Sequence, residues 1–180
     1  MTALVNDQSV YFHRLMQKAE GKWQGYRTYE SLKTGKRTRV SNTFEVILNY
    51  NNQHILEDLH QLPQGTFPYT IQVSWTSHDT DTGKLLSEGS MLMGYHDGYL
   101  YRDREDVTDQ PIVSKVEMTS PEHMLIRTFY EGVTTLGDET VAYEENFRWA
   151  GDHRLRTVLA WDKQHQLTLM GQYIEHKLAA

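Results

Sequence analysis

The 180-residue chain contains no cysteine, which excludes disulfides, thiolate metal sites and a cysteine nucleophile of its own. Proline is scarce: Pro63, Pro68, Pro111 and Pro121 all fall between the strands proposed below, where a missing amide hydrogen breaks no ladder. No apolar run approaches the length of a membrane span, and residues 1–7 have neither a basic region nor an apolar core suited to export. The expectation is therefore a cytoplasmic protein with no membrane partner. Excess positive charge is missing too. A formal charge of -6 at pH 7 gives no electrostatic reason to expect nucleic acid, although it leaves room for a local basic pocket.

Several catalytic signatures are also missing. The nine histidines are dispersed, with no i, i+4 pair of the kind that binds zinc on a helix, so no metal site is expected. No serine stands in a Gly-x-Ser-x-Gly elbow, and Gly89-Ser90 with the scattered glycines makes no phosphate loop. There is no internal repeat. With 38% hydrophobic and 23% charged positions, the chain can fill one core but not two, so residues 1–180 are expected to form a single domain.

What is present is a strand pattern. Phe12, Leu15, Met16 and Ala19 follow the three-four spacing of one apolar helical stripe, ended by Gly21, and the helix is expected to close one end of a barrel. Strands are then expected at 23–32, 37–50, 54–62, 69–77, 85–95, 99–104, 112–118, 123–130, 139–149, 154–161 and 166–176. The links are short turns such as Asp97-Gly98 and Gly151-Asp152. No strand is followed by the helix that a parallel crossover needs, so the chain is an antiparallel meander that packs as two sheets or closes into a barrel. The charged stretch from Arg102 to Asp109 reads as an exposed connection.

Period-two alternation puts Arg154 and Arg156 on one face with Val158 and Ala160, while Leu155, Leu159 and Trp161 share the other. If the arginine face lines a barrel, two permanent positive charges stand beside a cavity, and such charges need partners. Tyr143, Glu145, Phe147 and Trp149 form a second inward row, and an isolated buried carboxylate among aromatics must pair or protonate. Glu145 is therefore either salt-bridged to Arg154 or Arg156 across the next hairpin, or part of a ligand site with them. Trp75 shares a row with Tyr69, Ile71, Val73 and Ser77, and either stacks on a conjugated ligand or plugs the barrel. Trp23 reads as the barrel floor. Arg127, between Ile126 and Thr128, joins the same cavity or points to water.

The run Tyr11-Phe12-His13-Arg14-Leu15-Met16-Gln17-Lys18-Ala19-Glu20-Gly21-Lys22-Trp23-Gln24-Gly25-Tyr26-Arg27-Thr28 resembles the start of the S-type phycobiliprotein lyases, bilin-handling members of the lipocalin-like (calycin) group. The resemblance continues at Val73-Ser74-Trp75, Glu88-Gly89-Ser90 and Gly98-Tyr99-Leu100-Tyr101-Arg102. It is strongest at Glu144-Glu145-Asn146-Phe147-Arg148-Trp149-Ala150-Gly151-Asp152-His153-Arg154-Leu155-Arg156-Thr157.

The resemblance implies an all-β, antiparallel up-and-down lipocalin-like barrel with a short N-terminal helix. It also implies a linear tetrapyrrole substrate, phycocyanobilin or phycoerythrobilin, with no bound cofactor required. The pigment would be delivered as a thioether to a cysteine of an apo-phycobiliprotein alpha or beta subunit. Arg154 and Arg156 match arginines that hold the bilin or its propionates, Trp75 an aromatic near the chromophore, and Arg27 the arginine of the first strand. Glu145 matches the acidic residue facing the pyrrole nitrogens, and is the expected catalytic group. Arg127, Tyr143 and Phe147 complete the expected ligand contacts, and a homodimer follows from family similarity alone. The other readings are a non-catalytic calycin carrying a bilin, haem or fatty acid, and a structural barrel with a satisfied Arg-Glu network.

Overall fold

Alternation of buried and exposed residues runs the length of most of the chain, and it closes on itself. The computed structural model describes residues 7–103, 112–129 and 140–179. Helix α1 (Asp7–Ala19) leads into β1 (Gly21–Ser31) and β2 (Arg37–Asn49), followed by α2 (Gln53–Leu59). The remaining strands are β3 (Thr70–Asp79), β4 (Leu85–His96), β5 (Tyr99–Arg102), β6 (Ile112–Ser120), β7 (His123–Phe129), β8 (Thr140–Ala150), β9 (His153–Asp162) and β10 (Leu167–Lys177). Each strand pairs antiparallel with its sequence neighbour, and β1 also pairs with β10, giving a closed barrel with no free edge.

The walls follow the expected alternation. Along β2, Val40, Asn42, Phe44, Val46 and Leu48 are buried while Ile47 on the other face is 41% exposed. Asp97 and Gly98 both adopt left-handed backbone (φ 46° and 84°) in the turn between β4 and β5, a geometry whose twist matches the flanking strands. Helix α1 caps one end: Phe12, Leu15, Met16 and Ala19 are all buried, and Phe12 stacks on Tyr95 at 4.0 Å. Burying such side chains contributes roughly 1.5–3 kcal/mol each. Trp23 is buried on this floor, donating its indole N–H to the Ala19 carbonyl at 2.8 Å.

One expected strand is a helix. Residues 54–62 contribute α2, which lies outside the barrel over β4 and β5. Leu56 is fully buried there with Phe67 and Leu92, and Leu59 and Leu62 pack alongside at helical spacing. The buried Glu57 carboxylate accepts the Phe67 amide at 3.2 Å, tying the returning chain to the helix.

The expected exposed connection is also revised. Arg102 ends β5 with its side chain in the barrel interior and is 7% exposed; residues 104–109 lie outside the described residues, as do Pro111 and the expected strand ends Tyr130 and Glu139. Among the described residues, no helix is long and apolar enough to cross a membrane.

Candidate functional site

The barrel encloses a cavity of about 790 Å³, within the range of roughly 300–1,000 Å³ usual for small-molecule sites. Antiparallel partners share a face, so the register of β1, β10, β9 and β8 places inward side chains in rows. Nearest α1 the row is Gly25, Glu175, Arg154, Trp149; above it lie Arg27, Tyr173, Arg156, Phe147. The third row is Tyr29, Gly171, Val158, Glu145, and the fourth, toward the open end, is Ser31, Leu169, Ala160, Tyr143. Apolar side chains of Val46, Ile71, Val73, Met91 and Met93 face them from β2, β3 and β4, with Trp75 among them.

In the lowest row Arg154 is boxed in. Its Nε donates to Glu175 Oε2 at 2.5 Å, and its guanidinium carbon lies 4.8 Å from the Phe44 ring centre and 5.3 Å from those of Trp23 and Phe147. Glu175 is inaccessible to solvent, so this pair is a buried salt bridge with aromatic walls, arranged as cation–π contacts.

One row higher, Arg156 lies over the Tyr173 ring at 4.5 Å and the Phe147 ring at 5.0 Å. Its Nη2 donates to Glu145 Oε1, while Arg102 Nη2 donates to Glu145 Oε2 at 3.2 Å. Burial on its own pushes the Glu145 carboxyl up, but Arg156 and Arg102 outweigh it and hold the group below its ordinary range. Glu145 is therefore ionised at neutral pH. Arg156 is the mirror case: burial opposes its charge, yet Glu145 raises its pKa well above the ordinary value.

The charges do not cancel. Arg27, Arg102, Arg154 and Arg156 line the cavity against the carboxylates of Glu145 and, behind Arg154, Glu175. Nearer the opening, Lys33 is matched by Asp162 at 3.6 Å and Glu88 is exposed. The interior thus carries a cationic excess. The Nε atoms of Arg27, Arg102 and Arg156 and the indole nitrogen of Trp149 are buried donors without a protein partner, and a cavity lined this way favours a ligand bearing carboxylates and carbonyl acceptors.

The lumen therefore brings together Arg27, Trp75, Tyr143, Glu145, Phe147, Arg154 and Arg156, seven of the eight residues singled out from the sequence. Arg127 is the exception. Met124, Ile126 and Thr128 are the inward residues of β7, so Arg127 stands on the outer face, paired with Glu144 at 2.9 Å and Glu117 at 3.2 Å. The salt-bridged reading of Glu145 is realised with Arg156, while Arg154 takes Glu175 instead. Sequence reasoning missed Arg102, Glu175, Tyr29 and Tyr173. Alternation of Tyr173 and Glu175 against Gln172 and Ile174 was the available signal, masked because the apolar Ile174 is the one that faces out, 66% exposed. Among the described residues no three His, Asp or Glu side chains gather as a metal site.

The CpeS-like protein family matches residues 12–178 of the chain. The chain belongs to the CpeS-like family. CpcV of a Picosynechococcus strain, named as a candidate chromophore lyase, is 29% identical over 168 residues, spanning 90% of this CpeS-like chain and 79% of that protein. The S-type phycobiliprotein lyase CPES of Guillardia theta has the same barrel, with a TM-score of 0.76 at 14% identity over 96% of this chain and 98% of that one. Rv2717c of M. tuberculosis shares the fold more distantly, with a TM-score of 0.58 at 13% identity over 92% and 98% of the two chains. The resemblance and the lipocalin-like barrel read from the sequence both hold.

Proposed function

We propose that this CpeS-like protein is a bilin lyase, which holds a linear tetrapyrrole in its barrel and delivers it to a cysteine of a phycobiliprotein subunit. The observation that carries the reading is the pairing of a cationic band, Arg27, Arg102 and Arg156, with aromatic and apolar walls in one enclosed cavity. An open-chain tetrapyrrole presents two propionates and a long conjugated face, which those two surfaces complement. Guanidinium forks take the carboxylates, and Trp75 and Phe147 lie against the pigment.

Glu145 is the proposed catalytic group. Held ionised by two arginines, it accepts hydrogen bonds from pyrrole N–H groups and stabilises the protonated, more electrophilic pigment rather than acting as the proton source. The acceptor thiol then adds across the exocyclic double bond: a C–S bond forms, the π bond breaks, and the thiol proton ends on the pigment. No oxidant is needed. The barrel contributes orientation and exclusion of water, and without a cysteine it cannot retain the pigment as a thioether.

Phycocyanobilin and phycoerythrobilin are the substrates to test, with alpha and beta apo-subunits as acceptors and a homodimer as the form to look for. Purified protein mixed with pigment and apo-subunit should give an absorption shift on binding, then a pigment adduct on the subunit that survives denaturation. Failure to bind either pigment removes the proposal; binding without an adduct makes the protein a carrier.

A further inference from the structure

Tyr29, Tyr143 and Tyr173 line the cavity, and two of their hydroxyls are paired. The Tyr29 and Tyr173 oxygens are 2.7 Å apart, and Tyr143 lines the lumen one row above Tyr29. The arrangement is built into the wall. The Tyr29 and Tyr173 rings meet edge to face at 5.5 Å over Gly171, where a Cβ would lie 3.2 Å from Tyr29 Cδ1 and 3.3 Å from Tyr173 Cε2.

Two paired hydroxyls carry two protons, and the bond between them uses one. The neighbouring Arg27 and Arg156 only donate, and Glu145 takes its hydrogen bonds from Arg102 and Arg156, not from either tyrosine. The second proton is left for the lumen. Burial pushes the Tyr173 hydroxyl well above its ordinary range, so it stays protonated, whereas the arginines around it are charged.

Resting on the bilin reading, we infer that the Tyr29–Tyr173 pair is a donor site for a neutral carbonyl oxygen of the bound pigment, separate from the arginines that take its carboxylates. An open-chain tetrapyrrole carries such oxygens on its two terminal lactam rings. The pair spans the Arg156 row and the row above it, so it grips one end of the pigment and sets which end faces the opening. It acts as an orientation-setting site beside Glu145.

The test crosses two changes: Tyr173→Phe in the protein, and phycocyanobilin against its dimethyl ester in the ligand. The expected result is a loss of about three- to tenfold in affinity, the effect of one hydrogen bond, equal for the acid and the ester. Loss confined to the acid would assign the tyrosines to the carboxylates and overturn the inference, as would unchanged affinity for both. Tyr29→Phe keeps a ring in place and gives the same readout if Tyr173→Phe does not fold; at least one must weaken both ligands equally. Wild-type protein that binds neither ligand would instead remove the bilin reading itself.

Discussion

Glu175 lies across Gly25. The two are direct partners between β10 and β1, and a Cβ on Gly25 would fall 2.6 Å from Glu175 Cγ and 2.6 Å from the Ile174 carbonyl oxygen. The missing side chain is what lets a fully buried carboxylate reach Arg154 under the cavity floor.

Gly25→Ala should therefore destabilise the protein, although alanine is ordinarily the better residue at a position with negative φ. Overpacking of this kind costs about 1–3 kcal/mol, which at this size lowers the melting temperature by roughly 2–4 °C per kcal/mol. Thermal unfolding reads it directly; a raised melting temperature would show that the floor yields.

Glu145→Leu should cost about 3–5 kcal/mol in urea unfolding near neutral pH, because it leaves Arg102 and Arg156 buried without a counter-charge. The pH dependence has a definite sign. The folded carboxyl titrates below its ordinary value of 4.5, so its contribution is complete above that value and is lost as pH falls through the lowered folded value. The stability gap between wild type and variant should be flat above about pH 5.5 and narrow in acid.

The arginines should separate by readout. Arg156→Leu is expected to weaken bilin binding about 30-fold or more, the loss typical of a desolvated charge-assisted contact. Arg154→Leu strands the inaccessible Glu175, so it lowers stability as well as affinity, and the Arg154, Arg156 double leucine variant should bind no bilin. Arg127→Leu, on the outer face with its side chain 39% exposed, should leave affinity within about twofold. Titration of pigment absorbance on all four variants checks the set.

Leu56→Ala tests the separation of α2 from the lumen. Its side chain is fully buried between α2 and the outside of β4, so truncation should cost about 2–5 kcal/mol. Bilin affinity of the folded protein should not change, since Leu56 does not border the cavity.

Much of this architecture was legible before folding. Period-two alternation grouped Tyr143, Glu145, Phe147 and Trp149 on one face and Arg154 with Arg156 on another, because a strand has only two faces; barrel closure turned both faces inward. The α1 stripe was legible for a similar reason, since Phe12, Leu15, Met16 and Ala19 have no other surface to bury. Residues 54–62 misled because a short apolar run fits either period, and the choice went to the helix that buries Leu56 against Phe67 and Leu92.

Outside residues 54–62, the sequence alone determined the strand succession, the helix that closes one barrel end and which residues of β8 and β9 share a face, since these depend on local periodicity and short turns. Only the tertiary structure decided who pairs with whom. Glu145 took Arg102, 43 residues away, and Glu175 took Arg154, because barrel closure sets register between distant strands. A buried charge binds whichever counter-charge that register brings within reach, and no local pattern encodes it.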